Sequence, residues 1–201
     1  MSRIVVAGIG TGVGKTVVSA IMTTMLEGNY WKPFQTGLEH PDSQEIAKLT
    51  DSSVHQIFPS AYSLKAPLSP HHAARLENID MELTQISPPP SSKPLVIEAV
   101  GGVYVPLSSN TLSIDLFHSW EANWIVVSRH YLGSINHTLL TIEALKVWKI
   151  PILGIVFNGM PNPDTEDVIL TTTKVPYFGR LLPEPNINKS VIQRYAKQWR
   201  Q

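Results

Sequence analysis

A lysine and a threonine that follow a glycine-rich turn near the start of the chain could bind phosphate. Residues 4–7 form an apolar, β-branched run that predicts a buried strand. A turn with four glycines between residues 8 and 14 follows, and Lys15 and Thr16 then open a stretch that permits a helix. The N–H groups of such a turn converge on an anion, and the helix dipole favours the same negative charge. The lysine can contact the β- and γ-phosphates of a nucleotide, and the threonine hydroxyl can bind Mg²⁺.

The outer glycine of this turn departs from the strict pattern of a phosphate-binding loop, G-x-x-x-x-G-K-[ST]. That pattern would place its first glycine at Ile9, whereas this chain has Gly8, one residue earlier. An ordinary glycine-rich turn is the alternative interpretation. The position of Gly-Lys-Thr between a strand and a helix favours phosphate binding.

Lys32 and Asp42 could add charge to this site, although each also has a purely structural interpretation. Lys32 lies in a short predicted strand, residues 30–34, and is either a surface lysine or a second cation beside Lys15. Asp42 is either the N-cap of a helix that extends to about residue 49 or a ligand of Mg²⁺, directly or through water.

Glu98 has fewer structural explanations. It ends the apolar strand 95–98, where an acid without a partner is poorly placed. Phosphate-binding-loop proteins place a Mg²⁺-binding acid at such a strand end. Mg²⁺ uses few protein ligands and keeps several waters, so Thr16, Asp42 and Glu98 would be enough.

The composition excludes several classes of function. The chain has 16 basic and 16 acidic residues, and this balance argues against a broad nucleic-acid or membrane surface. It has no cysteine, which excludes disulfides, thiolate zinc sites and a cysteine nucleophile. No apolar run is long enough to span a bilayer, and a strand begins where a signal peptide would lie. We therefore expect a cytoplasmic protein.

The remaining pattern predicts strands that alternate with helices in one domain, residues 1–201. Residues 51–69 read as a loop, and residues 80–86 as a single helical turn. The other predicted strands are 124–128 and 152–157, and the predicted helices are 17–26, 42–49, 70–76, 113–120, 134–148, 165–172 and 188–199. Such alternation predicts an α/β fold in three layers, with a mostly parallel sheet between helices on both faces and ligands at the carboxyl ends of the strands.

Several motifs in the same order resemble those of the dethiobiotin synthetase family, enzymes of biotin synthesis built on a P-loop NTPase fold. The resemblance covers nearly the whole chain, and the early outer glycine is the family's own spacing. The motifs are Gly8-x-x-Thr11-x-Val13-Gly14-Lys15-Thr16, Lys32-Pro33-x-x-Thr36-Gly37, Ser69-Pro70-His71, Glu98-x-x-Gly101-Gly102-x-x-Val105-Pro106-Leu107, Gly133-x-Ile135-Asn136-His137-Thr138 and Gly154-x-Val156-x-Asn158. The lysine-proline and asparagine-histidine motifs are more specific than Gly-Lys-Thr.

The resemblance implies ATP and Mg²⁺ as cofactors and assigns residues to each. Thr16, Asp42 and Glu98 match the Mg²⁺ ligands, and Asn158 matches an asparagine that contacts adenine. The other residues that would border the nucleotide are Gly12, Val13, Gly14, Lys15, Val17, Ala99, Val100, Gly101, Leu182, Pro183 and Glu184. The family often has acids where this chain has Gly10 and Gly12, and an aspartate where it has Gly159.

The resemblance also implies a reaction. Lys32 and Lys15 match catalytic lysines, whereas Thr11, Thr36 and Asn136 match substrate contacts, Asn136 across the interface of a homodimer. The substrate would be 7,8-diaminononanoate, which captures CO₂ as a carbamate, is phosphorylated by ATP and closes to a ureido ring.

Three alternatives belong to other classes of protein. A regulatory switch ATPase of the division-site or partitioning type would have a signature lysine where this chain has Gly10. A cobyric-acid-type amidotransferase would need a glutaminase domain and a cysteine. A binding protein that has lost catalysis would not need to retain Lys15, Lys32 and Glu98.

Overall fold

A parallel sheet of seven strands forms the centre of the molecule, which the computed structural model describes from residue 2 to residue 200. The strands are β1 (Arg3–Gly8), β2 (Asn29–Trp31), β3 (Phe34–Thr36), β4 (Ile57–Phe58), β5 (Tyr62–Leu64), β6 (Leu95–Glu98), β7 (Asn123–Arg129), β8 (Ile152–Asn158) and β9 (Tyr177–Leu181). The order across the large sheet is β4-β2-β6-β1-β7-β8-β9. β3 and β5 form a separate parallel pair.

Helices cover both faces of this sheet. They are α1 (Lys15–Met25), α2 (Asp42–Leu49), α3 (Pro70–Leu76), α4 (Ser113–Phe117), α5 (Ser134–Val147), α6 (Pro163–Thr173) and α7 (Lys189–Trp199). Right-handed crossovers place α1 on one face and α5 and α6 on the other, because they lead toward opposite edges of the sheet. α1 packs against α2 and α7, and α5 packs against α6. The predicted three-layer α/β fold is confirmed.

The central strands are buried on both faces, which explains their continuous apolar sequence. Val5, Val6 and Ala7 of β1 are fully buried between β6 and β7. Because these strands are parallel, the carboxyl ends of β1 and β6 lie at the same edge of the sheet. None of the helices between residues 2 and 200 is long and apolar enough to cross a membrane.

The prediction of one strand over residues 30–34 is wrong. β2 ends at Trp31, and the chain then leaves the large sheet to form β3, which pairs with β5. Pro33 explains the break, because proline has no N–H group to donate to a neighbouring strand. Gln35 and Thr36, which lie beyond the predicted strand, belong to β3.

Other differences concern short elements. The predicted loop over residues 51–69 contains β4 and β5, and the helical turn predicted over residues 80–86 is a 3₁₀ turn at Leu83–Gln85. The sequence did not predict β9, because Pro176 and Gly179 are unfavourable signals for a strand. A Cβ at Gly179 would lie 2.7 Å from the Trp199 ring, so close packing of α7 on β9 requires glycine there.

Glu166 connects α6 to the ends of β7 and β9. Its Oε1 atom lies 2.8 Å from His130 Nε2 and accepts the Asn162 N–H at 2.9 Å, while Oε2 accepts a hydrogen bond from the Arg180 guanidinium. Arg180 also donates to the Gly159 carbonyl at 3.4 Å. Burial alone would raise the pKa of Glu166, but Arg180 and the other donors outweigh it and lower that pKa.

We expect Glu166→Gln to lower the free energy of unfolding by about 2 kcal/mol at about pH 7, because the amide cannot replace the carboxylate as partner of Arg180. The folded-state pKa of Glu166 lies below the ordinary value of 4.5. The Glu166 carboxylate therefore contributes its full stabilisation above about pH 4.5. That contribution is lost as the pH falls through the lower, folded-state pKa.

Urea unfolding of both proteins across this pH range tests the prediction. The difference between them should shrink as the pH falls below about 4.5. Glu143→Gln, which removes an exposed partner of Lys146, is the control and should change stability by less than about 0.5 kcal/mol. A Glu166→Gln deficit that is the same at every pH would contradict the assignment.

Candidate active site

The glycine turn forms an open cradle between the end of β1 and the start of α1. The φ angles of Gly12 (72°) and Gly14 (98°) lie in the left-handed region, which glycine adopts without strain. A Cβ at Gly14 would also lie 2.5 Å from Nδ2 of Asn158. No side chain in the described part of the chain caps the first turn of α1, so its N–H groups are available to an anion. Strand, turn and helix have the order and backbone geometry that the sequence predicts.

Lys15 is the buried cation of this cradle. Its Nζ donates to the Gly10 carbonyl at 2.8 Å, across the turn. Burial lowers the pKa of Lys15 to about 8, and the nearby Glu98 carboxylate only partly opposes this effect. A bound anion beside Lys15 would raise this pKa again, because a neighbouring negative charge favours the ammonium form.

Lys32 lies between two carboxylates. Its Nζ donates to Oδ2 of Asp42 at 2.5 Å and to Oε1 of Glu98 at 3.0 Å. The Thr16 hydroxyl lies 2.6 Å from Oδ1 of Asp42 and 3.0 Å from Oε1 of Glu98. The interpretation of Lys32 as a surface lysine is wrong, because only 9% of its side chain is exposed.

The electrostatics of this cluster keep Lys32 and Asp42 charged. Burial alone would lower the pKa of Lys32, but the Glu98 and Asp42 carboxylates outweigh it and raise that pKa. Burial would raise the pKa of Asp42, but Lys32 and the hydrogen bonds from Thr16 and Gln35 hold it below its usual value. At neutral pH Lys32 and Asp42 therefore form a pair of an ammonium group and a carboxylate.

Asp42 is held in place by Gln35. Gln35 Oε1 accepts the Asp42 N–H at 3.0 Å, and its Nε2 donates to the Gly37 carbonyl at 3.0 Å. The N-cap interpretation of Asp42 is wrong, because Pro41 occupies the cap position and Asp42 is the first helical residue. Its carboxylate instead points toward Thr16 and Lys32.

The donor set of this cluster fits Mg²⁺. The Thr16 hydroxyl oxygen lies within 3.0 Å of a carboxylate oxygen of Asp42 and of one of Glu98, so three oxygen ligands meet at this point. Mg²⁺ prefers one or two carboxylates together with water and substrate oxygens. Within residues 2–200 no group of three or more histidine, aspartate or glutamate side chains could hold a metal, so a larger carboxylate cage is absent there. Lys32 would have to leave both carboxylates for a cation to bind them.

A cavity of about 530 Å³ joins the cradle to the charged cluster. Lys15, Thr16 and Lys32 line its polar part, together with Gly12, Gly14 and Val17. Pro67 and Leu68, together with Val100 and Val105, form an apolar wall, and Thr11, Thr36 and Gly101 also line the cavity. One continuous space therefore contains both a site for anions and an apolar surface.

Asn158 lies on the other side of the cradle. Its Nδ2 donates to the Val13 carbonyl at 2.8 Å, so it supports the glycine turn directly. The Leu182-Pro183-Glu184 segment follows β9 nearby and is attached to α7, where Tyr195 Oη accepts the Leu182 N–H at 3.1 Å and donates to Glu184 at 2.6 Å. Ala99 is buried directly after Glu98.

Asn136 does not join this cluster within one chain. It is exposed near the start of α5 and lines a separate cavity with Tyr131 and Leu132. Asn136 does not cap α5, because Gly133 is the N-cap and no side chain caps that helix.

Tyr30 is a site residue that the sequence analysis missed. It is fully buried, and its hydroxyl donates to Oε2 of Glu98 at 2.8 Å. Burial, and then the Glu98 charge, raise the pKa of Tyr30, so the hydroxyl remains protonated. Successive side chains of a strand point to opposite sides, so residues two apart share a side. This alternation could have shown that Tyr30 lies on the same side of the chain as Lys32. Gln35 was missed because its partner Asp42 belongs to another element.

Comparisons with known proteins agree with these motifs. A protein-family model described as an AAA domain matches residues 2–191. An ATP-dependent dethiobiotin synthetase of Chlamydia pneumoniae is 46% identical over 100% of this chain and 90% of its own length. Proteins of the same name from Christiangramia forsetii and Agrobacterium fabrum are also 46% identical, over 97% and 98% of this chain and 94% and 93% of their own lengths.

Solved structures with the same architecture are more distant in sequence. A cell division ATPase MinD of Pyrococcus furiosus superposes with a TM-score of 0.60 at 17% identity and covers 98% of both chains. A ParA family ATPase of Chlorobium tepidum gives a TM-score of 0.56 at 12% identity and also covers 98% of both chains. These two likenesses establish the P-loop fold alone. The identities with the curated relatives, over nearly the full chain, establish the family: this chain belongs to the ATP-dependent dethiobiotin synthetases, a family of P-loop enzymes.

Proposed function

We propose that this enzyme uses ATP, Mg²⁺ and CO₂ to convert 7,8-diaminononanoate to dethiobiotin, ADP and phosphate. The observation that carries the proposal is the convergence of Lys15, Lys32, Asp42 and Glu98 on one cavity with an apolar wall. Phosphoryl transfer needs positioning and charge neutralisation more than covalent help, and this cluster supplies both.

The cradle would bind the triphosphate. N–H groups at Gly12, Val13, Gly14 and the start of α1 would contact phosphate oxygens, and Lys15 would neutralise the β- and γ-phosphates. Mg²⁺ held by Thr16, Asp42 and Glu98 would offset negative charge on the same oxygens. Asn158 and residues 182–184 would border the base, while residues 99–101 would border the nucleotide from β6.

The apolar part of the cavity would bind the diamine. Pro67, Leu68, Val100 and Val105 present an apolar surface suited to a chain of methylene groups. Thr11 and Thr36 would contact the polar end of the substrate. One amine adds to CO₂ and loses a proton to give a carbamate, whose oxygen attacks the γ-phosphorus and displaces ADP. The second amine then attacks the carbamoyl carbon, loses a proton and expels phosphate as the five-membered ring closes.

Lys32 would stabilise the carbamate and its phosphorylated form. In the structure its ammonium group is paired with Asp42 and Glu98. If those carboxylates held Mg²⁺, the ammonium group would be free to face the cavity, where a carbamate oxygen could take their place. The same ammonium group would thus offset the carboxylates in one arrangement and the carbamate in the other.

A second protomer would complete the substrate site through Asn136. Support comes from an exposed apolar surface beside it, to which Tyr104, Leu140 and Val147 contribute. Because Asn136 is outside the Lys32 cavity of its own chain, it would act on the cavity of the partner in a symmetric homodimer.

A regulatory switch ATPase is the second candidate, favoured by the MinD and ParA likenesses in fold. Gly10 stands where such proteins have a signature lysine. A switch ATPase would bind and hydrolyse ATP without any response to the diamine.

The first test measures phosphate release with ATP, Mg²⁺ and bicarbonate, with and without 7,8-diaminononanoate. We expect diamine-dependent release accompanied by an equal amount of dethiobiotin, identified by mass. A diamine that lacks the carboxylate tail is the control for specificity. ATP hydrolysis that ignores the diamine would contradict the synthetase and support the switch ATPase.

Lys32→Gln should lower dethiobiotin formation by about a hundredfold, because it removes the cation that faces the carbamate. Binding of Mg²⁺ to the nucleotide complex should not weaken, because the lysine competes with the metal for Asp42 and Glu98. Steady-state kinetics and calorimetric titration of Mg²⁺ measure the two effects. Lys48→Gln, on the exposed side of α2, is the matched control and should match the wild type in both. Near-normal turnover by Lys32→Gln would eliminate the role assigned to this lysine.

Mixing two inactive variants tests whether each site needs two chains. Lys32→Gln and Asn136→Ala should each be inactive alone, but a mixed dimer contains one site with Lys32 from one chain and Asn136 from the other. Equal mixing after subunit exchange should restore about a quarter of wild-type activity, because half of the dimers are mixed and each has one intact site. Activity that stays at the level of the separate variants would contradict the shared site.

A further inference from the structure

Tyr30 is a buried polar residue that the proposed reaction does not use. It lies in the middle of β2, where it pairs with Val96 of β6. Glu98 is two residues further along β6 and therefore on the same face of the sheet. The two side chains meet there, with the Tyr30 hydroxyl 2.8 Å from Oε2 of Glu98.

The two oxygens of Glu98 have different surroundings. Oε1 lies 3.0 Å from both the Thr16 hydroxyl and Lys32 Nζ, on the side of the cavity. Oε2 accepts the Tyr30 hydroxyl in the interior. A carboxylate with a separate partner on each oxygen cannot rotate freely, so only Oε1 is presented to the site.

The ring of Tyr30 is held rigidly. It belongs to the apolar cluster between β2 and the helices α1, α2 and α7, with Ile21, Ile46 and Ile192 among its members. All four side chains are fully buried. A buried tyrosine ring in a close-packed cluster has little freedom to withdraw its hydroxyl, and leaving that hydroxyl without a partner would be costly.

We infer that Tyr30 is a positioning residue that makes Glu98 a ligand with a single oxygen and so favours Mg²⁺ over Ca²⁺. Mg²⁺ requires octahedral geometry with few protein oxygens, whereas Ca²⁺ accepts both oxygens of one carboxylate at longer distances. Partners behind a metal ligand fix its orientation and change metal affinity when they are lost. The inference rests on the proposed Mg²⁺-nucleotide site.

The experiment compares the wild type with Tyr30→Phe, which keeps the ring and removes the donor. Dissociation constants of Mg²⁺ and Ca²⁺ are measured on the ADP complex of the full chain by displacement of Mn²⁺, followed by electron paramagnetic resonance. We expect Mg²⁺ to bind about tenfold more weakly to Tyr30→Phe than to the wild type, whereas the dissociation constant of Ca²⁺ should change by less than about threefold. The preference of the site for Mg²⁺ over Ca²⁺ should therefore decrease.

Tyr62→Phe is the matched control. Its hydroxyl also has a structural partner, since it accepts the Glu82 N–H at 2.8 Å, but it does not contact the metal ligands. If the role of Tyr30 were purely structural, Tyr30→Phe would weaken the binding of both metals equally or behave like Tyr62→Phe. Either outcome would overturn the inference. An Mg²⁺ affinity of Tyr30→Phe within about twofold of the wild type would do the same.

Unnatural residues at position 30 separate the hydroxyl from the packing. 4-Aminophenylalanine retains a donor and should keep wild-type discrimination between Mg²⁺ and Ca²⁺. 4-Fluorophenylalanine fills the volume of the hydroxyl without donating, and it replaces the phenylalanine variant if that variant does not fold. Equal discrimination by the two residues would overturn the inference.

The wild-type titration distinguishes this inference from the proposed function. A wild-type ADP complex that binds neither metal would contradict the proposed Mg²⁺ site itself, and the Tyr30 inference would fall with it. A wild-type complex that binds Mg²⁺ normally, with Tyr30→Phe unchanged, would overturn the inference about Tyr30 and leave the proposed reaction intact.

Discussion

The ammonium group of Lys32 between the Asp42 and Glu98 carboxylates is the interaction on which the rest of the site depends. Two carboxylates that share the Thr16 hydroxyl would repel each other in a partly buried place without a cation between them. Lys32 removes that repulsion and connects the segment after β2 with the start of α2 and the end of β6. Truncating Lys32 or one of the carboxylates would leave a buried charge without a partner. The free-energy cost of that unpaired charge is larger than the stabilisation that the ion pair itself provides.

Local signals made part of this arrangement predictable. The Gly-Lys-Thr turn could be read from the sequence because strand, glycines and helix are consecutive, and Glu98 because an acid at the end of an apolar strand is conspicuous. The bend at Pro33 was not anticipated, although it separates β2 from β3 and sends Lys32 toward the carboxylates. The pattern of alternating strands and helices was enough to predict the three layers, because crossover connections between parallel strands are right-handed.

The parts that escaped prediction depend on contacts between distant segments. Tyr30 resembles a core tyrosine in the sequence, and only the register of β2 against β6 reveals its partner Glu98. Glycine is unfavourable in a strand, and only the close packing of the Trp199 ring explains why Gly179 stands within β9. Asp42 resembled a helix cap because caps and metal ligands use the same residue type, and three-dimensional neighbours alone separate the two roles.

The pairing of Lys32 also suggests an order of events in the proposed reaction. While the carboxylates hold the ammonium group, Lys32 would not be available to a carbamate, and Lys15, which also lines the cavity, faces the phosphate cradle. In the proposed reaction a divalent cation bound with the nucleotide would supply the replacement charge for Asp42 and Glu98, and Lys32 would then be able to turn to the substrate. The ammonium group would therefore become available for the carbamate only after the phosphoryl donor is in place. This order would protect a short-lived carbamate from being bound where no phosphoryl group can reach it.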